Sequence, residues 1–285
     1  MCGGLVGMMF GKKRRTPEER EHLKGIFTRT LLASEEFGPF ATGIACVHTD
    51  GDYRIFKRPM GASRFVKQRG FREVMDFVDN KTTILMAHTR KCLGEKLGNN
   101  ANNHPMLIPP VLGTHLGFLY NTEELFEQYG LPRVTDVDSE LLLQMAVRSL
   151  EDGRISRERF LEYIRPCHGQ ILMVMVSLKD PENTLIFKGN CSLEQRLHVH
   201  HRVRMYAPLD ILMEHAIQGE RLWHKVRTHF ASISVHKYED IRWPWAYHSF
   251  VKFEMDPGWP WDEYEEREKA RQEARERLKS EKGED

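Results

Sequence analysis

Cys2-Gly3-Gly4-Leu5-Val6-Gly7-Met8-Met9-Phe10 reads as a buried strand: apolar residues interrupted by glycines, which stand where other backbone comes close. Working outward, Lys12 to Arg15 form a basic turn, and Thr16-Pro17-Glu18-Glu19 supplies an N-cap, a proline at the first helical position and a capping-box glutamate. The helix so begun carries Leu23, Ile26, Phe27, Thr30 and Leu31 on one face and is expected to reach about Glu36. Ala41 to Val47 predicts a strand, with Asp50-Gly51 turning it into a second strand over Tyr53 to Phe56. A helix is expected over Ser63 to Val78 and a buried strand over Thr82 to Ala87.

The stretch from Thr89 to Pro110, rich in Gly, Asn and Pro, is expected to be mostly loop, and so long a loop inside a domain usually serves function. Beyond it come a strand over Val111 to Leu119 and helices over Thr122 to Tyr129 and Ser139 to Leu150. Two strands, Gly169 to Leu178 and Thr184 to Phe187, are expected to be joined by a turn at Asp180-Pro181-Glu182-Asn183. A strand over Val203 to Ala207 leads into a helix over Leu209 to Ile217. Strands and helices mix without regular βαβ alternation, which predicts an α+β fold with antiparallel sheets covered by helices.

The chain has 285 residues, 40% of them hydrophobic, enough for a sizeable core and too apolar for a disordered chain. Its formal net charge of +1 lacks the basic surplus of a general nucleic-acid binder or of a protein drawn to anionic membranes. No apolar run is long enough to span a bilayer, and the basic cluster follows the first apolar stretch, the reverse of a signal peptide. Five cysteines, an odd number without a CxxC pair, fit reduced thiols in the cytoplasm. Residues 1–240 are expected to form one domain, followed by an aromatic-rich extension over 241–261 with Trp243-Pro244-Trp245 and Trp259-Pro260-Trp261. Residues 262–285 form a charged tail, helical or disordered.

Cys2 becomes the first residue if Met1 is removed, which a small second residue favours. It then carries a thiol and a free α-amine, and that amine titrates near pH 8, where it can act as general base for its own nucleophile. The surrounding motifs make this specific. Cys2-Gly3 opens the chain, and Ala41-Thr42-Gly43-Ile44-Ala45 follows. His88-Thr89-Arg90 precedes Asn102-Asn103-His104-Pro105, then come His115-Leu116-Gly117-Phe118-Leu119-Tyr120-Asn121 and Val137-Asp138-Ser139-Glu140. In this order and over roughly three quarters of the chain, the sequence resembles the class II glutamine amidotransferases, N-terminal-nucleophile (Ntn) hydrolases that open with Met-Cys-Gly.

The resemblance implies an Ntn-hydrolase-like four-layer αββα sandwich with two mostly antiparallel sheets, of the stand-alone amidotransferase-domain type. It implies Cys2 as nucleophile and the Gly117 backbone N–H as an oxyanion donor. Arg90 would hold the glutamine α-carboxylate, Asp138 the α-ammonium, and His104 would belong to the glutamine-site loop. No cofactor or metal is implied; glutamine is the expected partner, with its ammonia either released as in a glutaminase or passed to a separate ammonia-accepting synthetase or transferase subunit. Without the resemblance, Arg90 suits a surface ion pair, Asp138 an N-cap and Gly117 a bulge. His88, His104 and His115 suit hydrogen-bonding roles in the loop.

Four positions depart from the family pattern. Leu116 replaces the asparagine that supplies a second oxyanion donor, a loss of about 10²- to 10³-fold in turnover. Phe37 and Phe40 stand where polar residues are usual, and Leu93, within Lys91-Cys92-Leu93, replaces a threonine. These changes converge on one expected site, which leaves slow glutamine hydrolysis or a catalytically impaired binding protein as alternatives. A separate feature, His198-Val199-His200-His201, reads as a polar loop; were it a strand, His198 and His200 would share a face, as metal ligands can.

Overall fold

The computed structural model describes residues 3–91, 98–189, 191–220 and 222–226, and the backbone of 231–234. Cys2, Cys92, Leu93 and the stretches assigned to the extension and the tail lie outside the described residues. In chain order come β1 (Gly3–Phe10), α1 (Pro17–Ala33), β2 (Ala41–His48), β3 (Tyr53–Arg58), α2 (Ala62–Phe65), α3 (Arg69–Phe77) and β4 (Thr82–Arg90). Then follow β5 (Met106–Ile108), β6 (Val111–Leu119), α4 (Thr122–Gln128), α5 (Ser139–Arg148), β7 (Leu150–Glu151), β8 (Arg154–Ile155) and α6 (Arg157–Ile164). The last are β9 (Gly169–Ser177), β10 (Asp180–Gly189), β11 (Glu194–His198), β12 (Val203–Ala207), α7 (Asp210–Ile217), β13 (Trp223–Val226) and β14 (Ala231–Ser234).

β1 is buried along its whole length because it is the middle strand of a seven-stranded sheet ordered β13-β11-β12-β1-β4-β2-β3. A second sheet runs β14-β10-β9-β6-β5, and the strand pairs of both are antiparallel. Alternation along β1 sorts its side chains: Leu5 and Met9 enter an apolar layer between the sheets with Ala45, Leu116, Leu172 and Tyr206. Val6, Met8 and Phe10 face the opposite way, onto α1 and α7. The far face of the second sheet is covered by α5 and α6. The result is an α+β, four-layer αββα sandwich, the layering that the resemblance implies. No helix among the described residues is long and apolar enough to cross a membrane.

Local chemistry accounts for the elements. At the start of α1 the Glu19 N–H donates to Thr16 Oγ1 (3.2 Å) and the Thr16 N–H to Glu19 Oε2 (2.9 Å), a complete capping box. The buried face of α1 is Leu23, Ile26, Phe27, Thr30 and Leu31, as the spacing predicts. β6 and β12 have the expected bounds, and β4 runs three residues further, to Arg90.

Three expectations are corrected. The single helix over Ser63 to Val78 is two helices, α2 and α3. Phe65 and Phe71 both pack into the helix-side core, yet six residues of unbroken helix would set them about 120° apart; the break restores a common face. The long loop after β4 contains β5, a three-residue edge strand paired with β6. Asp180 to Asn183 begin β10, with a register shift between Asp180 and Thr184, so the reversal of the chain falls earlier, between Ser177 and Asp180.

Candidate active site

The first described residue of β1 is part of the site's scaffold. Gly3 pairs with Arg90 across β4, and Arg90 pairs on its other side with Ala41 of β2. Residues 102–104, from the asparagine-rich stretch after β4, lie against β2: Gly43 is so close to the His104 carbonyl that a Cβ there would collide with it. Arg90 Nη1 donates to the Asn102 carbonyl (2.7 Å) and to Asn103 Oδ1 (3.1 Å). Its Nε and Nη2 have no partner among the described residues. The half-buried guanidinium is therefore fixed on one side and open on the other, as a carboxylate-binding fork requires.

Asn102 is fully buried and ties this loop to the start of α5. Its Nδ2 donates to Asp136 Oδ2 (3.1 Å) and its Oδ1 accepts from the Asp136 N–H (3.1 Å). Four residues on, the buried Glu140 carboxylate accepts from the N–H groups of Val134 (2.8 Å) and Thr135 (2.6 Å), from Thr135 Oγ1 and from Gln144 Nε2. Between these anchors stands Asp138. It occupies the N-cap position of α5 but makes no side-chain cap bond; instead its Oδ2 accepts from the Leu119 N–H (2.8 Å). The N-cap reading of its carboxylate is thus corrected: the side chain points to the end of β6, two residues from Gly117.

Gly117 has φ +141°, and a Cβ on it would collide with the Gln170 carbonyl. The pairing of β6 with β9 continues without a shift through this point, so Gly117 is not a bulge. Only glycine lets the two backbones meet in that conformation.

Two buried histidines, His88 and His104, lie near Arg90, and a third, His115, lies beyond His104. His88 and His104 have ring centroids 4.6 Å apart, and His104 is 6.5 Å from His115. Burial, with the nearby Arg90 charge, pulls His88 down to about 3, and burial holds His104 well below the ordinary imidazole range. Burial also lowers His115, against the opposing effect of Asp138. The Gln170 carbonyl can only accept, so His115 carries its proton on Nε2 (3.3 Å) and accepts from Ser139 Oγ at Nδ1 (2.9 Å). Both nitrogens of His104 and Nε2 of His88 are buried without a hydrogen-bond partner, unlike the bonded loop residues expected for them. Lys57, absent from the expected site, points into the same region: its ammonium donates to the Asn103 carbonyl (2.7 Å), and burial brings it down to about 8.

The described apolar replacements, Phe37, Phe40 and Leu116, do not share one pocket. Leu116, 6% exposed, belongs to the layer between the sheets. Phe37 packs on the other side of the first sheet, against the helix-side core, and Phe40 is exposed, its N–H bonded to the Arg90 carbonyl (3.1 Å). Cys46, Cys167 and Cys191 form no disulfide with one another; burial pushes the thiols of Cys46 and Cys167 up to about 12, too high for a nucleophile.

Asp136 and Lys57 are site residues that sequence reasoning missed, while Asn102, Asn103 and Glu140 stood inside the quoted motifs without a role of their own. Their signals were the density of asparagines after β4 and an acid inside an otherwise apolar helix face.

No family model matches the chain, and no curated protein matches it significantly. Solved structures do. The glutamine phosphoribosylpyrophosphate amidotransferase from B. subtilis, complexed with ADP and GMP, aligns over 81% of this chain with a TM-score of 0.56 and 14% identity. A structure described as the allosteric regulatory enzyme of purine biosynthesis aligns over 81% with a TM-score of 0.57 and 16% identity. In both cases the alignment covers 45% of the other chain, so this chain spans under half of each; at such identity the likeness is one of fold.

Proposed function

We propose that this chain is a glutamine-hydrolysing amidotransferase of the N-terminal-nucleophile type, acting through Cys2. The observation that carries the reading is the pairing of Gly3, the residue after Cys2, with Arg90, whose guanidinium is fixed on one edge and open on the other. Glutamine presents a carboxylate, an ammonium and a side-chain amide. In this reading Arg90 takes the carboxylate through Nε and Nη2, Asp138 takes the ammonium, and an unpartnered nitrogen of His104 contributes a hydrogen bond.

The Cys2 α-amine removes the thiol proton, and sulfur attacks the amide carbon to give a tetrahedral oxyanion facing the Gly117 N–H. Collapse, with the proton returned to nitrogen, expels ammonia and leaves a γ-glutamyl thioester. Water then cleaves the C–S bond, yielding glutamate and the thiol. Ammonia is released or passed to an acceptor, such as a separate synthetase or transferase subunit. With Leu116 in place of a side-chain donor, turnover is expected to be slow by about 10²- to 10³-fold.

A second reading rests on Leu116 itself: a site that has lost a donor to the apolar layer keeps the fold and the glutamine contacts and serves as a binding protein. Intact mass spectrometry before and after a diazo-ketone glutamine analogue separates the two. Loss of Met1 and one adduct on Cys2, absent in Cys2→Ala, supports the enzyme. A folded chain that keeps Met1 or takes no label, while glutamine still raises its melting temperature, supports the binding protein.

A further inference from the structure

A second group of histidines lies at the other end of β1, where Phe10 pairs with Val203. Eight residues of strand, about 23 Å at 3.3 Å per residue, separate it from the Arg90 end. β11 stops at His198, so His198 and His200 do not alternate along a strand; His200 and His201 sit in the turn before β12. That turn faces the first turn of α1. His201 Nδ1 lies 3.4 Å from Glu19 Oε1, His200 Nε2 lies 3.9 Å from the same oxygen, and the three ligand atoms all fall within 4.8 Å of one another.

These spacings match a metal's needs. Zinc bonds of about 2.0 to 2.1 Å in a tetrahedron set neighbouring ligand atoms about 3.3 Å apart, so the two imidazole–carboxylate pairs, at 3.4 and 3.9 Å, need only small adjustments. His201 Nδ1 is buried and without a hydrogen-bond partner. The turn that aims it is held by the His201 N–H donating to His198 Nδ1 (3.1 Å). Glu19 divides its carboxylate: Oε2 closes the capping box, while Oε1 holds the Lys13 ammonium at 2.9 Å. A cation can therefore take Oε1 from Lys13 without opening the helix start. His200 is 72% exposed on its side chain and free to swing inward.

We propose that Glu19 Oε1, His200 Nε2 and His201 Nδ1 form a site for a divalent transition-metal ion of the zinc class, with a fourth position open to water. Two imidazoles and one carboxylate suit zinc, nickel or copper, whereas magnesium and calcium prefer all-oxygen sets. The bound ion ties the β11–β12 turn to α1, a structural link independent of the proposed glutamine chemistry.

The test is calorimetric titration of the chelator-treated full chain with Zn²⁺, with melting temperature read in parallel. One saturable site is expected, together with a rise in melting temperature. His200→Ala, at an exposed position, should weaken binding by at least as much as losing a ligand's supporting partner does, about 10- to 100-fold. Glu19→Gln should do the same while keeping the capping box, which glutamine also closes. Lys13→Ala should tighten binding several-fold by removing the competing charge, and His215→Ala on α7 should leave it unchanged. Absence of saturable zinc binding, or affinity unchanged in both His200→Ala and Glu19→Gln, would overturn the proposal.

Discussion

Gly117 and Arg90 show how much of this site depends on single backbone positions. Gly117→Ala forces a side chain into φ +141° and against the Gln170 carbonyl. It should cost at least about 1 to 3 kcal/mol, read as a lower urea midpoint, because the strain and the collision add. Arg90→Gln removes the guanidinium fork; if it binds the glutamine carboxylate, KM should rise far more than kcat falls. The buried histidines make stability depend on acid. An unfolded imidazole titrates near 6.5 and folded His88 near 3, so between those values only the unfolded chain takes up the proton. The His88 contribution is intact above pH 6.5 and is lost as pH falls toward 3, by up to about 1.4 kcal/mol per pH unit. His104 acts in the same direction. His88→Leu should flatten this slope in urea unfolding measured across that range.

At the scale of elements, the link between the loop after β4 and α5 runs through Glu140 and Asn102. Glu140→Ala strands two backbone N–H groups and should destabilise the fold by about 2 to 4 kcal/mol, measured by chemical denaturation. Through Asp136 and Asn102 it should also loosen Arg90 and slow labelling by the glutamine analogue. This scale was the most legible in sequence. Val111 to Leu119 and Val203 to Ala207 are the observed β6 and β12, because segments of nine and five residues beside Pro110 and Pro208 are shorter than an ordinary helix and carry their own breakers. The break between α2 and α3 was not legible: nothing in residues 66–68 forbids helix, and only the shared core of Phe65 and Phe71 calls for it. β5 escaped notice because three residues carry too little pattern.

For the whole molecule, the two stacked sheets decide what Leu116 can become. Leu116→Asn restores a donor on the strand of Gly117 and is expected to raise glutaminase turnover, toward the 10²- to 10³-fold scale of one oxyanion donor. It also puts an amide into the apolar layer beside Leu172, for about 1 to 3 kcal/mol of lost stability. A rate that rises as the melting temperature falls would place catalysis and core packing in competition at this residue. The layers also disperse the other replacements: Phe37 and Leu116 lie on opposite sides of the first sheet, a relation that depends on pairing and not on sequence distance.

From sequence alone came the glycine-punctuated first strand, the capped helix after it and the mixed α+β class, because these depend on periodicity, capping and turn chemistry within a few residues. The ordered motifs likewise marked Cys2, Arg90, His104, Gly117 and Asp138 as one candidate site. Tertiary structure alone decided that Asp138 bonds the end of β6 instead of capping α5, that Asn102 and Glu140 carry the scaffold behind Arg90, and that His200 and His201, not His198, meet Glu19. Asp138 with Leu119, Asn102 with Asp136 and Glu19 with His201 join residues far apart in the chain, while Glu140 closes the turn just before its own helix. The distant partners are chosen by strand register and layer packing, which local pattern does not contain.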